Sequence, residues 1–138
     1  EDQERDHLRD ERESEHPSTI ADAVAYAALL DGLERFAESR AIYERALEMY
    51  ERIFGPDHYE VAAVLHNLAA LEHAEGNAER AIHLCRRSFA LKQTLLGGDH
   101  PDTALTGMNL AAMLLECGEC AEARRLLFCA LDVFRRAA

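Results

Sequence analysis

The sequence predicts an all-α protein made of three stacked helix pairs, and two observations lead to this prediction. The first is an internal repeat: residues 54–69, FGPDHYEVAAVLHNLA, and residues 96–111, LGGDHPDTALTGMNLA, share seven of sixteen positions at an offset of 42. The second is the apolar pattern, which follows helical spacing and in no segment alternates with period two. A repeat of this length is typical of a solenoid, in which neighbouring units bury faces that one unit cannot bury alone.

The offset divides the 138-residue chain into a charged leader at 1–15 and three units at 16–57, 58–99 and 100–138. The leader has eight acidic residues, three arginines and one leucine, so we expect it to be disordered or a frayed helix. The offset relates one histidine and one alanine in each unit: His16, His58, His100, Ala27, Ala69 and Ala111. We expect the three histidines to have a structural role at the turns between units.

The linkers between units carry helix-start signals. In the second unit Asp57 is a candidate N-cap, and Glu60 three residues later completes a capping box. In the third unit Asp99 is the candidate cap, and Pro101 occupies a first-turn position where its missing N–H costs nothing. We therefore expect these aspartates to cap the first helices of their units.

Glycines mark the predicted helix ends. Gly76 and Gly118 supply the left-handed residue that ends a first helix, and Gly97 ends the second helix of unit two, which we expect over 78–96. Glu34 takes the glycine's place in unit one, so we expect a less sharply formed turn there. Small side chains should let the helices approach closely at Ser39, Ala46, Ala69, Ala81, Ala111 and Ala123.

Composition excludes several classes of function. The formal net charge is −11, and an acidic chain repels phosphate backbones, so we expect no nucleic-acid partner. No apolar run approaches the roughly 20 residues that a membrane span needs. Four cysteines are too few for a secreted disulfide framework, and the expected location is therefore the cytoplasm.

The repeated residues resemble the tetratricopeptide repeat. The resemblance is carried by NLAAL at 67–71 with Gly76, by NLAAM at 109–113 with Gly118, and by RAIYERALEMY at 40–50. The 42-residue period is similar to the longer-helix variant found in kinesin light chains. Over roughly residues 16–136 the resemblance implies a right-handed superhelical solenoid of three helix–turn–helix units. It also implies a non-enzymatic function, the binding of other proteins, without cofactors.

In this family the first helix of each unit lines a concave groove that holds a peptide or helix of a partner. The matching positions are Val24, Ala28, Ala63, His66, Asn67, Ala70, His73, Leu105, Met108, Asn109 and Ala112. Asn67 and Asn109 offer donors and acceptors that can bracket the backbone of an extended peptide. The alternative is that each amide merely bonds a neighbouring helix.

The groove positions predict the chemistry of the partner. Ala21, Ala25 and Leu105 stand where a carboxylate clamp for chaperone tails would need Lys or Arg. The same lack of groove cations argues against the acidic-flanked tryptophan motifs that kinesin light chains bind. An apolar helix face, with basic flanks, suits the Ala, Val, Leu and Met side chains better.

Two clusters could suggest metal or redox chemistry. Cys117 and Cys120 enclose a glycine and a glutamate, but no second ligand pair follows for zinc, and the strand that precedes a redox motif is missing. His66 and His73 share a helix face, yet no carboxylate completes a metal site on that face. We expect no metal and no catalytic residue, with the cysteines packing at a turn and the histidines lining the groove.

The last predicted helix has an apolar face with no later unit in this sequence to cover it. Leu127, Leu131 and Phe134 are its candidate contact residues. Such a face indicates either a fragment of a longer array or self-association of the chain into a homo-oligomer through this end.

Overall fold

The computed structural model describes residues 16–137, which form six α-helices and no strand. The helices are α1 (Pro17–Gly32), α2 (Phe36–Phe54), α3 (Tyr59–Ala74), α4 (Ala78–Leu96), α5 (Pro101–Glu116) and α6 (Cys120–Ala137). Each packs on the next in chain order, and α1 also contacts α3. The all-α prediction and the predicted second helix of unit two are therefore confirmed. The leader at 1–15 lies outside the described residues, and no helix within 16–137 combines the length and apolarity that crossing a membrane requires.

The N-cap of each first helix is a histidine, and in units two and three it is not the predicted aspartate. His16, His58 and His100 are the N-caps, and Nδ1 of each ring accepts a hydrogen bond from the backbone N–H two residues later. The Nδ1–N distances are 3.2, 3.1 and 3.0 Å in chain order. In units two and three the imidazole is the acceptor that Asp57 and Asp99 were expected to be. The histidine directly precedes the helix and has the extended backbone conformation of an N-cap residue.

The turn inside unit one is as tightly closed as the other two, which corrects the expectation from Glu34. Glu34 itself adopts the left-handed conformation, with φ of 60°, where the later units have glycine at 86° and 82°. The same backbone hydrogen bond closes all three turns, from Arg35 to Leu30 at 2.9 Å in unit one and at 2.8 and 2.9 Å in the others. A non-glycine residue there costs about 1 kcal/mol, which the packing of the unit offsets.

The core runs through the middle of the stack and depends on small residues. Five alanines and a serine are completely buried where first and second helices cross: Ala27, Ala69, Ala81, Ala111, Ala123 and Ser39. Ser39 donates its hydroxyl to the carbonyl of Ala27 at 2.8 Å, so the polar side chain is satisfied inside the core. The predicted close approach of the helices is confirmed.

Ion pairs link the second helices of neighbouring units across the outside of the stack. Glu44 of α2 pairs with Arg80 of α4 at 2.9 Å, and Arg86 of α4 pairs with Glu122 of α6. The 42-residue offset relates Glu44 to Arg86 and Arg80 to Glu122. The two pairs therefore occupy the same repeat positions with the charges exchanged.

Candidate functional site

The predicted groove residues lie on one face of α1, α3 and α5, and we call that face the groove. None of its eleven residues is fully buried. Leu105 and Met108 are the most open large side chains among them, at 49% and 38% exposure. The groove thus presents mostly apolar surface with a few polar groups between.

A cavity opens between α3 and α5. Its volume is about 190 Å³, and it is lined by His66, Ala70, His73, Cys85, Asn109, Ala112 and Met113. Five of these seven were predicted groove residues. The structure therefore brings together three predicted residues of unit two and two of unit three, whereas Ala63, Asn67, Leu105 and Met108 do not line the cavity. The cavity can take an apolar side chain.

Polar groups in this half of the groove bond to one another. Asn109 Nδ2 lies 3.2 Å from His66 Nε2, and His66 Nδ1 lies 3.1 Å from the Thr106 hydroxyl. Farther along, His73 Nε2 lies 2.6 Å from a carboxylate oxygen of Glu116. The amide of Asn109 therefore bonds a neighbouring helix, which is the alternative that the sequence left open for it.

The hydrogen bonds fix the state of His66. The amide nitrogen of Asn109 can only donate, so His66 Nε2 accepts and the ring proton sits on Nδ1, from which it is donated to Thr106. Burial lowers the pKa of His66, and the nearby charge of Lys92 lowers it further, while Asp102 opposes them. His66 is accordingly neutral at neutral pH and acts as a polar link between α3 and α5.

The half of the groove between α1 and α3 lacks these links. At the repeat positions of His66 and Asn109 it has Val24 and Asn67, and Asn67 makes no side-chain hydrogen bond within the described range. At the positions of His73 and Glu116 it has Asp31 and Ala74. Asp31 has no side-chain partner in residues 16–137, and burial raises the pKa of its carboxyl. The two halves thus differ in whether their polar groups are satisfied.

Lys92, to which the sequence reasoning gave no role, is a buried charge at the junction of units two and three. The chain's only lysine is 3% exposed and donates to Asp102 at 3.0 Å and to Thr106 at 2.8 Å. Tyr59 donates to the same carboxylate at 2.7 Å, and that hydrogen bond, with burial and the negative charge, raises the pKa of Tyr59 to about 12. The sequence indicates that Lys92 is unusual, because the 42-residue offset places the aromatic residues Tyr50 and Phe134 at the equivalent positions of the other units.

Glu72 is a second buried charge, and its partners were not predicted from the sequence. It is 1% exposed, whereas its repeat equivalents are Leu30 and Leu114. Burial raises the pKa of Glu72, but hydrogen bonds from Arg40 at 2.8 Å and Asn77 at 2.7 Å and the charges of Arg40 and Arg80 leave it below its ordinary value. This residue ties unit one to unit two.

The cysteines and histidines form no metal centre in the part of the chain that the structure describes: no group of three or more His, Cys, Asp or Glu side chains there could hold an ion. Cys117, Cys120 and Cys129 are exposed free thiols, and Cys85 is buried. The expected packing of Cys117 and Cys120 at the turn is therefore wrong, because both side chains face outward. Burial raises the pKa of Cys85 to about 11, so its thiol is protonated and unreactive.

The candidate self-association residues differ in exposure. Leu127 is half-buried against the core, whereas Leu131 and Phe134 are 47% and 37% exposed. Phe128, absent from the predicted set, is the most exposed of the group at 66%. A cavity of about 420 Å³ opens on this face between Leu115, Cys120, Arg124, Leu127, Phe128 and Leu131.

The repeated geometry has a counterpart among known families. The tetratricopeptide repeat model matches residues 18–84 and 60–136. The chain belongs to the tetratricopeptide repeat family. This fold generally mediates protein–protein interaction, and tetratricopeptide repeat scaffolds are typically non-enzymatic.

Solved structures with the same solenoid include kinesin-light-chain-like proteins. The crystal structure of BtubC (BKLC) from P. vanneervenii matches with a TM-score of 0.83 and 25% identity, over 90% of this chain and 50% of that one. A putative kinesin light chain with nearly identical TPR-like repeats from Podosopora anserina gives 0.80 and 21%, over 89% and 58%. The predicted tetratricopeptide solenoid is confirmed.

Among curated proteins, the chain is similar to part of the Clustered mitochondria protein homologs. The homolog of Aspergillus niger is 29% identical over 89 residues, which are 64% of this chain and 7% of that protein. The homolog of Danio rerio is 28% identical over 91 residues, 66% of this chain and 6% of that protein. This tetratricopeptide repeat chain therefore spans a small part of the length of these relatives.

Proposed function

We propose that this chain is a non-enzymatic scaffold of the cytoplasm that binds a peptide or helix of a partner protein in the groove. The observation that carries the proposal is the cavity between α3 and α5, since five predicted groove residues line it. Exposed Leu105 and Met108 on the same helix face extend its apolar surface. An apolar side chain of the partner fits the cavity, and the flanking surface covers its neighbours.

The charges of the groove support a partner with apolar and basic character. No groove residue is Lys or Arg, and the chain carries a net charge of −11. A partner with a free carboxylate or an acidic flank would find no cation there, and a phosphate backbone or anionic lipid would be repelled. The proposal includes no cofactor, nucleic acid or membrane.

A matched pair of substitutions tests the proposal. Peptides are first selected from a random dodecapeptide phage library on the intact chain, and their affinity is measured by fluorescence anisotropy. Met108→Glu should weaken binding by about tenfold, because it places a charge on an apolar contact. Leu95→Glu is the control, since Leu95 has a similar exposure of 41% on α4, outside the groove. Equal effects of both changes, or a failure to select any peptide, would contradict the proposal.

Self-assembly through α6 is the second candidate, and the 66% exposure of Phe128 beside Leu131 favours it. The pairing would be two-fold and not head-to-tail. Arg40 binds Glu72 and Glu75 on the next unit, but Leu30 and Leu33 replace those acids in unit one. Head-to-tail stacking would therefore leave Arg124, the equivalent of Arg40, opposite leucines.

Sedimentation velocity over a wide concentration range tests this candidate. The chain should dimerise with increasing concentration, and Phe128→Asp should abolish the dimer. Leu29→Asp, at a site 68% exposed on α1, should leave it unchanged. A wild-type chain that stays monomeric at the highest concentration rules the candidate out.

A further inference from the structure

We propose that the α1–α3 half of the groove is a recognition site for a basic side chain, with Asp31 accepting the cation and Asn67 holding the ligand's backbone. This inference rests on the proposed function, and it assigns the ligand chemistry of one part of the groove. Neither residue has a partner among the described side chains.

The internal repeat provides the comparison that singles out this half. Between α3 and α5 two pairs of polar groups bond across the helices, His66 with Asn109 and His73 with Glu116. The repeat-equivalent pairs between α1 and α3 are Val24 with Asn67, and Asp31 with Ala74. One partner of each pair has been replaced by an apolar residue, so the amide of Asn67 and the carboxylate of Asp31 remain open to a ligand.

Asp31 differs electrostatically from Glu72 and Asp102, the two acids that hold ion pairs between units. Glu72 and Asp102 have cationic partners, and both have pKa values below their ordinary range despite the opposing effect of burial. The pKa of Asp31 is raised by burial, with no cation to offset it. An ionised carboxylate left partly desolvated and unpaired is unfavourable in the free protein, and a Lys or Arg from a ligand would relieve that cost.

The floor beneath this half also differs. Tyr43, which is 1% exposed, occupies the position that Cys85 has beneath the α3–α5 cavity. Burial first, and then the negative charge of Asp31, raises the pKa of Tyr43. The larger side chain fills the space that corresponds to the recess above Cys85.

The spacing predicts a sequence pattern in the ligand. The repeat relates Val24 and Asn67 to the bonded pair His66 and Asn109. Asp31 lies seven residues after Val24, so we expect Asp31 and Asn67 to lie about 10 Å apart along the groove. An extended peptide advances about 3.3 Å per residue, so this distance corresponds to about three residues. We expect bound segments to carry Arg or Lys about three residues from the peptide unit that Asn67 bonds.

The test compares selections from the random dodecapeptide phage library on variants of the intact chain. Wild type should enrich Arg or Lys at one fixed position. Asp31→Asn should lose that enrichment and bind the selected peptides about tenfold more weakly. Asp31→Arg should instead enrich Asp or Glu at the same position. Asp22→Asn, an exposed acid on the same helix, should behave as wild type.

The outcomes separate this inference from the proposed function. Asn67→Ala should weaken all selected peptides by about tenfold whatever their sequence, because it removes a contact to the backbone. Peptides that bind in the groove without a basic preference, or that bind Asp31→Asn equally well, overturn the inference and leave the proposed function standing. A wild-type chain that enriches no peptide overturns both. Circular dichroism of each variant establishes that it is folded.

Discussion

One ring nitrogen in each linker histidine stabilises the start of a first helix. His100→Ala should lower the free energy of unfolding by about 1 kcal/mol, because the N–H of Asp102 loses its acceptor. His100→Asn should recover most of that loss, since its side-chain oxygen can accept the same bond. Urea denaturation measures both. His83→Ala on exposed α4 surface is the control, and an equal loss there would show that the cap contributes nothing.

Glu72 should make the fold sensitive to acid. Its pKa is lowered in the folded state, so its contribution to stability is present above the pKa of the unfolded chain and is lost as the pH falls through the folded pKa. Glu72→Gln should therefore destabilise the protein by roughly 1–3 kcal/mol at neutral pH. The difference from wild type should shrink in acid, which urea titrations at pH 7 and pH 3 measure. A difference that is the same at both pH values would contradict the ion-pair role.

The contribution of Asp31 to stability should depend on pH in the opposite direction to that of Glu72. Because its pKa is raised in the folded state, its stabilising contribution is present below the unfolded pKa and is lost as the pH rises through the folded pKa. Asp31→Asn should therefore leave the protein as stable as wild type or slightly more stable at neutral pH, while weakening ligand binding. Thermal unfolding at pH 7 provides the measurement. A clear loss of stability would identify Asp31 as a structural residue with a partner in the fold.

Among single residues, those set by steric constraints could be predicted from the sequence, and those set by hydrogen-bond geometry could not. The buried alanines and Gly76 follow from close approach and positive φ. The histidine caps do not, because the aspartate one residue earlier is a more common capping residue. Asn67 and Asn109 read as equivalent in the sequence, and only the positions of Val24 and His66 opposite them reveal that one amide is open and the other is bonded.

At the scale of helix packing, Phe89 of α4 fits against a glycine of α5. A β-carbon added at Gly107 would lie 3.0 Å from Phe89 Cε2, a tight contact. The equivalent residues between α2 and α3 are Leu47 and Leu65. One contact therefore pairs a large side chain with a glycine, and the other pairs two side chains of intermediate size. This pairing of a large and a small residue sets how closely α5 approaches α4.

Gly107→Ala should destabilise the fold by roughly 1 kcal/mol, because overpacking against Phe89 outweighs the helix propensity that alanine adds. Phe89→Leu combined with Gly107→Ala should recover the loss, since the shorter side chain leaves room for the methyl group. A double-mutant cycle of thermal unfolding measures the coupling. Additive effects would show that the two residues do not constrain each other.

At the scale of the whole molecule, the sequence predicted the architecture because a repeat period is a property of the entire chain. Period, glycine placement and buried alanines agree, and each is visible without coordinates. The polar junctions between units were less predictable. Lys92 and Glu72 bond residues on other helices, and which groups meet there depends on the superhelical packing.

The exchanged ion pairs give the order of the units a physical basis. If residues 58–99 were deleted so that unit three stacked directly on unit one, Glu44 would face Glu122, and Asp102 would lose Lys92. Leu47 would also meet Gly107, where Phe89 now fills the space. The three units are therefore not interchangeable modules, and duplication or loss of one of them would require changes on both sides of the new junction.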